Sequence, residues 1–156
     1  MTNQALTLVA GGTGKTGRRV VERLKARGIP VRVGSRAASP RFDWDDPRTW
    51  APALSGVTAV YLAYHPDLAY PGAAQKIAEF AALAEAAGVR RVVLLSGRGE
   101  EAAHAAERGV RESGMAWTVL RSAWLNQNFD EGEFAGAVRA GVIALPADDV
   151  AEPFVD

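Results

Sequence analysis

Residues 5–17 read ALTLVAGGTGKTG, a mainly apolar run that passes straight into a glycine cluster. Ala5 to Ala10 has the continuous apolar character of a strand covered on both faces. Behind the cluster, Val20, Val21 and Leu24 fall on one helical face while Arg18, Arg19, Glu22 and Lys25 are left for water, and Gly28 is placed to end the helix. The stretch therefore predicts one strand, one tight turn and one helix.

Within that turn, Gly12, Gly14 and Gly17 form GxGxxG, immediately after the strand and at the helix start. A pyrophosphate needs main-chain N–H groups aimed at it, close approach of the backbone and the positive end of a helix dipole. The glycines of Gly11–Gly12–Thr13–Gly14–Lys15–Thr16–Gly17 permit the first two, and the helix supplies the third. The alternative is a glycine turn that binds nothing. Gly14, Lys15 and Thr16 also spell the end of a P-loop, but the glycine required five positions before Gly14 is Val9, so the loop is too short to wrap a triphosphate.

Beyond this stretch, the alternation of short apolar and longer amphipathic stretches repeats. Val31 to Gly34 reads as a second strand, followed by a helix opened by Asp46 as N-cap with Pro47 at its first position. Val57 to Ala63 is a third strand and Ala73 to Ala87 an alanine-rich helix stopped by Gly88. Val92 to Leu95 is a fourth strand, and Ala102 to Ser113 a weaker helix interrupted by Gly109. Trp117 to Leu120 is a fifth. An amphipathic segment around Phe134 and Val138 precedes a short run at Val142 to Leu145. This pattern predicts an α/β fold: a Rossmann-like, doubly wound three-layer sandwich with a mostly parallel sheet of five to six strands.

A chain of 156 residues that is 48% apolar suits one domain with one sizeable core. Eighteen basic and eighteen acidic residues balance, so no global field draws nucleic acid or an anionic membrane. The absence of cysteine removes disulfides, thiolate metal sites and cysteine nucleophiles, and two histidines disfavour a metal centre. No apolar stretch approaches the roughly 20 residues that span a bilayer, and no leader pattern opens the chain. The expectation is a cytoplasmic protein without metal, nucleic acid or membrane partners.

The end of the second strand decides between dinucleotides. A carboxylate there accepts hydrogen bonds from the adenosine ribose and repels a 2′-phosphate. Here the residues are Gly34, Ser35 and Arg36, which supply a cation and omit the anion. NADP(H) is expected ahead of NAD(H), which stays possible. Arg36 as a plain solvated arginine is the competing reading.

The segments AGGTGKTGRRVVERL, VRVGSR, FDWDDPRTW, VRRVVLLSG and WTVLRSAWLNQNF together resemble the NmrA-like atypical short-chain dehydrogenase/reductases, nearest in pattern to the ergot-alkaloid-biosynthesis-type reductases. The resemblance covers nearly the whole chain. It implies that Gly12 to Gly17 bind the NAD(P)H pyrophosphate and that Arg36 meets the 2′-phosphate. It also implies that Asp43 and Trp44 lie beside the adenine, while Ala63, Tyr64, His65 and Ser96 run along the nicotinamide side. Trp44 reads equally well as a packing aromatic.

Two departures from the family bear on chemistry. Classical members use a tyrosine followed four positions later by a lysine. Here Tyr61, Tyr64 and Tyr70 are followed at that spacing by His65, Leu68 and Ala74, which disfavours carbonyl reduction by the classical route. Reduction of an iminium or quinone-like acceptor is less affected, because hydride addition to a cation leaves a neutral amine. Family members also continue beyond the segment AEPFVD. The resemblance thus implies that residues 1–156 are a single NAD(P)-binding Rossmann domain lacking the C-terminal substrate-binding part.

No residue declares itself catalytic; Ser96, His65 and Tyr64 are the candidates, and His104 reads as a surface histidine. Trp117, Trp124 and Phe129 line an aromatic pocket or, for at least two of them, pack in the core. The leading functional expectation is an NADPH-dependent oxidoreductase transferring hydride to a small iminium, quinone-like or conjugated acceptor. The second is a non-catalytic NADP(H)-sensing module that signals through a partner. An unfinished sheet edge favours self-association.

Overall fold

The computed structural model describes residues 5–145 and 150–156. Five strands, β1 (Leu6–Ala10), β2 (Val31–Gly34), β3 (Val57–Leu62), β4 (Arg91–Gly97) and β5 (Ala116–Ser122), form one sheet in the order β2-β1-β3-β4-β5. Every pairing in it is parallel, as a sheet built from crossover units demands. The direction of winding reverses between β1 and β3. A crevice is therefore expected outside the carboxyl ends of those two strands.

Helices lie on both faces. On one, α1 (Lys15–Ala26) packs Val21, with Val20 and Leu24, against Val9 and Tyr61. On the other, α2 (Trp50–Leu54), α3 (Ala73–Ala86) and α4 (Glu101–Arg111) bury the main core, in which Leu8, Leu62, Ile77, Phe80 and Leu94 are inaccessible to solvent. Asp46 accepts from the Arg48 N–H with Pro47 next to it, but the turn it opens is a 3-10 stretch, Pro47–Thr49, that leads into α2.

Gly109 does not interrupt α4. A β-carbon there would stand 2.6 Å from the Ala78 α-carbon, so the glycine is where α4 and α3 come into backbone contact. Helix propensity is overridden by packing at that position.

The sheet is covered unevenly. Val93 and Leu95 of β4 face the α1 side, and their register partners on β5 are Thr118 and Leu120. Leu120 is 49% exposed and lines an open cleft beside Val20 of α1. Trp117, on the opposite face, is 44% exposed under the Arg111 guanidinium, which corrects its reading as core or pocket lining.

Beyond β5, β6 (Trp124–Leu125) pairs in parallel with β7 (Phe154–Val155) as a separate ribbon. Trp124 stacks with Phe154 and, with Phe129 and Phe134, makes a satellite aromatic cluster. Two-residue strands carry no periodicity, so this ribbon has no sequence signature. The segment around Phe134 becomes a short helix, α5 (Ala135–Arg139), and Val142 to Leu145 adopts no regular structure.

Candidate functional site

Outside the carboxyl ends of β1, β3 and β4 lies a cleft of about 760 Å³. It brings together Gly11, Thr13, Gly14, Lys15 and Thr16 from the glycine loop, Ser35 and Arg36 after β2, and Asp43 and Trp44 from the segment before α2. Ala63, Tyr64 and His65 after β3 and Ser96 at the end of β4 complete it. Gly12 and Gly17 do not line the cleft. Their role is close approach: a β-carbon on Gly17 would stand 2.1 Å from the Gly11 carbonyl oxygen, and one on Gly12 would stand 2.8 Å from that of Val9.

The loop end fits a pyrophosphate. Gly14 is extended at the helix N-cap and offers no side-chain acceptor to the first N–H groups of α1. Those groups have no partner within the helix, so they and the helix dipole are directed at whatever occupies the loop. Gly11, at φ 77°, makes the turn out of β1, and its carbonyl accepts from the Gly14 N–H at 3.0 Å.

Lys15 is not free to add to that field alone. Its Nζ donates to Asn128 Oδ1 at 2.8 Å, and both Arg18 and Arg19 pair with Glu131, Arg19 at 2.6 Å. Residues 128–131 are thereby tied to the start of α1. Arg36, by contrast, is exposed and has no ion-pair partner among the described residues. Asp43, nearby, has its carboxyl held below the usual range, first by the Asp45 main-chain N–H and then by Arg41 at 2.6 Å, with a weaker contribution from Arg36.

Trp44 is buried, with its ring edge-on to Phe42, Trp50 and Phe80, tilted against Tyr64, and its Nε1 donating to the Ala63 carbonyl at 3.3 Å. It belongs to the core first and gives the cleft only an edge. Tyr61 lies beneath the loop beside Thr16, where burial pushes its phenol up. His65 is exposed at the rim and Tyr64 half-buried in the wall.

Packing supplies neighbours that no sequence spacing reveals. Lys76 of α3 pairs with Asp45 and lies against Tyr64, both of which raise its pKa. Ser96 is 5% exposed, and its Oγ donates to Glu107 Oε1 at 2.8 Å. Glu107, on α4 and 1% exposed, is gripped by Arg121 of β5 through Nε at 2.8 Å and a terminal nitrogen at 2.6 Å. Arg121 first, and Ser96 next, hold the Glu107 carboxyl below its ordinary value against the opposing effect of burial. The Ser122 hydroxyl, also lining the cleft, is buried without a hydrogen-bond partner among the described residues, as is His104 Nε2, so His104 is not the plain surface histidine expected.

Residues 11–155 match the family model described as NAD(P)H-binding. The chain belongs to that NAD(P)H-binding family. It is similar to prestalk A differentiation protein A of Dictyostelium discoideum, 31% identical over 91% of this chain and 52% of that protein. It is also similar to an agroclavine dehydrogenase of Claviceps fusiformis, 34% identical over 81% of this chain and 50% of the dehydrogenase. Among solved structures, a short-chain dehydrogenase/reductase superfamily protein of Agrobacterium tumefaciens with bound NAD superposes with a TM-score of 0.68. It is 22% identical and covers 85% of this chain and 55% of that one. The resemblance to atypical, NmrA-like reductases and the Rossmann-like fold are both borne out. The chain spans about half the length of the curated relatives it matches. No helix among the described residues is long and apolar enough to cross a membrane.

Proposed function

We propose that this chain is the cofactor-binding domain of an NADPH-dependent oxidoreductase that reduces a small iminium, quinone-like or conjugated acceptor. The observation that carries the reading is the uncapped N-terminus of α1 opening into a cleft that also holds, at the end of β2, an arginine with no ion-pair partner among the described residues. The pyrophosphate goes to the loop N–H groups, and the 2′-phosphate of NADPH to Arg36, whose guanidinium forks onto phosphate oxygens. Asp43 does not repel that phosphate strongly, since Arg41 already neutralises it. The Agrobacterium protein carries NAD and bears on the fold alone, so the preference for NADPH rests on Arg36.

A bound dihydronicotinamide supplies the hydride. The chain's own residues orient the ring and line the cleft beside it. Tyr64 and His65 stand at that end, and neither has the lysine four positions on that marks the classical proton donor. An iminium acceptor, which gains only a hydride, suits such a site, while a quinone-like or conjugated one takes its proton from water. The same feature favours the second reading, a module that binds NADP(H) without turnover.

Titration of the protein with NADPH and NADH, followed by nicotinamide fluorescence, tests the binding half. NADPH is expected to bind more tightly, and Arg36→Ala to weaken it about 10- to 100-fold while leaving NADH nearly unchanged, the range for a lost hydrogen bond to a charged group. Equal affinities in the unsubstituted protein would overturn the preference. NADPH oxidation across a panel of iminium and quinone acceptors separates enzyme from sensor.

A further inference from the structure

The deepest polar feature of the cleft is not in the glycine loop. Ser96 lines the cleft at the end of β4, and its hydroxyl is committed to Glu107. An ionised carboxylate is acceptor-only and a guanidinium donor-only, so the hydrogen bond between Ser96 Oγ and Glu107 Oε1 has one possible direction: the serine proton points at Glu107. Arg121 fixes the ionised state by occupying both oxygens of the same carboxylate. Glu107 is buried at 1% exposure, and of its two partners, Ser96 and Arg121, only Ser96 lines the cleft. What Ser96 presents to the cleft is therefore its lone pairs.

We propose that Glu107 and Arg121 hold Ser96 as an obligate hydrogen-bond acceptor, so that this end of the cleft selects a ligand group bearing an N–H donor and Ser96 is not a proton source. Ser96 is a contact residue, while Glu107 and Arg121 are positioning residues that act through it. This assignment rests on the reading of the cleft as an NADPH site and adds to it the polarity of the group recognised at its far end. Two ligand groups carry the required chemistry: the primary amide of the nicotinamide ring, and the N–H of a protonated imine acceptor. A carbonyl oxygen, which needs a donor, receives none from Ser96.

Glu107→Gln disturbs the arrangement. Arg121 donates to both oxygens, its Nε to the same oxygen that takes the Ser96 proton, so in either orientation the NH2 of the introduced amide meets an Arg121 donor. The fixed direction of the serine proton is lost. Ser96→Ala removes the acceptor and leaves the Glu107–Arg121 pair intact, which keeps the test valid if Glu107→Gln fails to fold. Ser96→Thr keeps the hydroxyl and should restore the unsubstituted behaviour.

The probes are NADPH and its reduced 3-acetylpyridine analogue, which exchanges the amide NH2 for a methyl group, each titrated against the unsubstituted protein and the three variants. If the cofactor is the source of the N–H, the unsubstituted protein prefers NADPH by about fivefold, the size of one neutral hydrogen bond. Ser96→Ala then abolishes the preference, Ser96→Thr retains it and Glu107→Gln weakens it. If the acceptor is the source, the two cofactors bind alike. Turnover of 1-pyrrolinium then falls about 10- to 100-fold in Ser96→Ala, the range for a hydrogen bond to a charged group, while turnover of its N-methyl counterpart is unchanged. Equal effects of Ser96→Ala on both cofactors and both acceptors would overturn the assignment. Failure of the unsubstituted protein to bind NADPH at all would instead remove the functional reading beneath it, so the two failures are distinguishable.

Discussion

The two ends of the cleft are built from different materials. At the β1 and β2 end, the ligand-facing groups are main-chain N–H donors, glycines and the exposed Arg36, all drawn from residues 11–36. At the β4 and β5 end, the site is a chain of side chains, Ser96 to Glu107 to Arg121, contributed by a strand, a helix and a second strand. The first end works by what is absent, since a β-carbon on Gly17 or a capping side chain on α1 would close it. The second works by what is present and correctly paired. The first therefore tolerates no added atoms, and the second no removed ones.

The sharpest way to break the first end is Gly17→Ala. The new carbon would lie 2.1 Å from the Gly11 carbonyl oxygen and 2.8 Å from the Gly12 α-carbon, both backbone atoms with no rotamer to yield. The loop must move, at a cost of about 3 kcal/mol, the upper end for an inserted carbon. NADPH binding is expected to weaken at least about 100-fold, measured by fluorescence titration, while far-UV circular dichroism still reports an α/β protein. Retention of affinity within about threefold would show that the loop geometry does not govern binding.

At the other end, Arg121→Met strips the partner from a buried carboxylate. Removal of one member of a buried pair leaves the survivor uncompensated, although the arginine's 44% side-chain exposure lets water take up part of the loss. A fall in Tm of about 5–10 °C is expected for a chain of this size. The acid side carries the sign. Because Glu107 is held below its ordinary value, its stabilisation is present above the usual carboxylate range and is lost as pH falls through the lowered folded-state value. Glu107→Gln should therefore show a flatter Tm against pH below about pH 5 than the unsubstituted protein.

The same division explains how much was legible in the sequence. The strand, glycine turn and helix of residues 5–28, the α/β alternation and Arg36 at the end of β2 are local features with short-range signatures. Glu107 reads in sequence as one more charge on the polar face of a weak helix. Nothing in its neighbourhood shows that β4 and β5 bring Ser96 and Arg121 to it, because those contacts span 11 and 14 residues across separate elements. Gly109 misled for the same reason: its propensity argues for a break, and only the approach of Ala78 shows why a helix needs it there. The β6–β7 ribbon, which joins distant residues through two-residue strands, left no pattern to read.

A third element links the two ends, and its effect should be the smallest. Residues 126–134 follow β5 and reach back to the start of α1 through Lys15–Asn128 and the pairs of Arg18 and Arg19 with Glu131. Three cross-links suggest a rigid clasp, but exposure decides otherwise. Both arginines are about half in solvent, so water and salt compete for their charge and the ordering of two long side chains offsets much of the attraction. Glu131→Gln is accordingly expected to lower Tm by only about 1–2 °C at low ionic strength, and by less at about 0.5 M salt, where screening shortens to a few Å. A drop as large as that of Arg121→Met, or one indifferent to salt, would mean that this strap carries the stability here assigned to the Ser96, Glu107 and Arg121 chain, and the contrast between the two ends would fail.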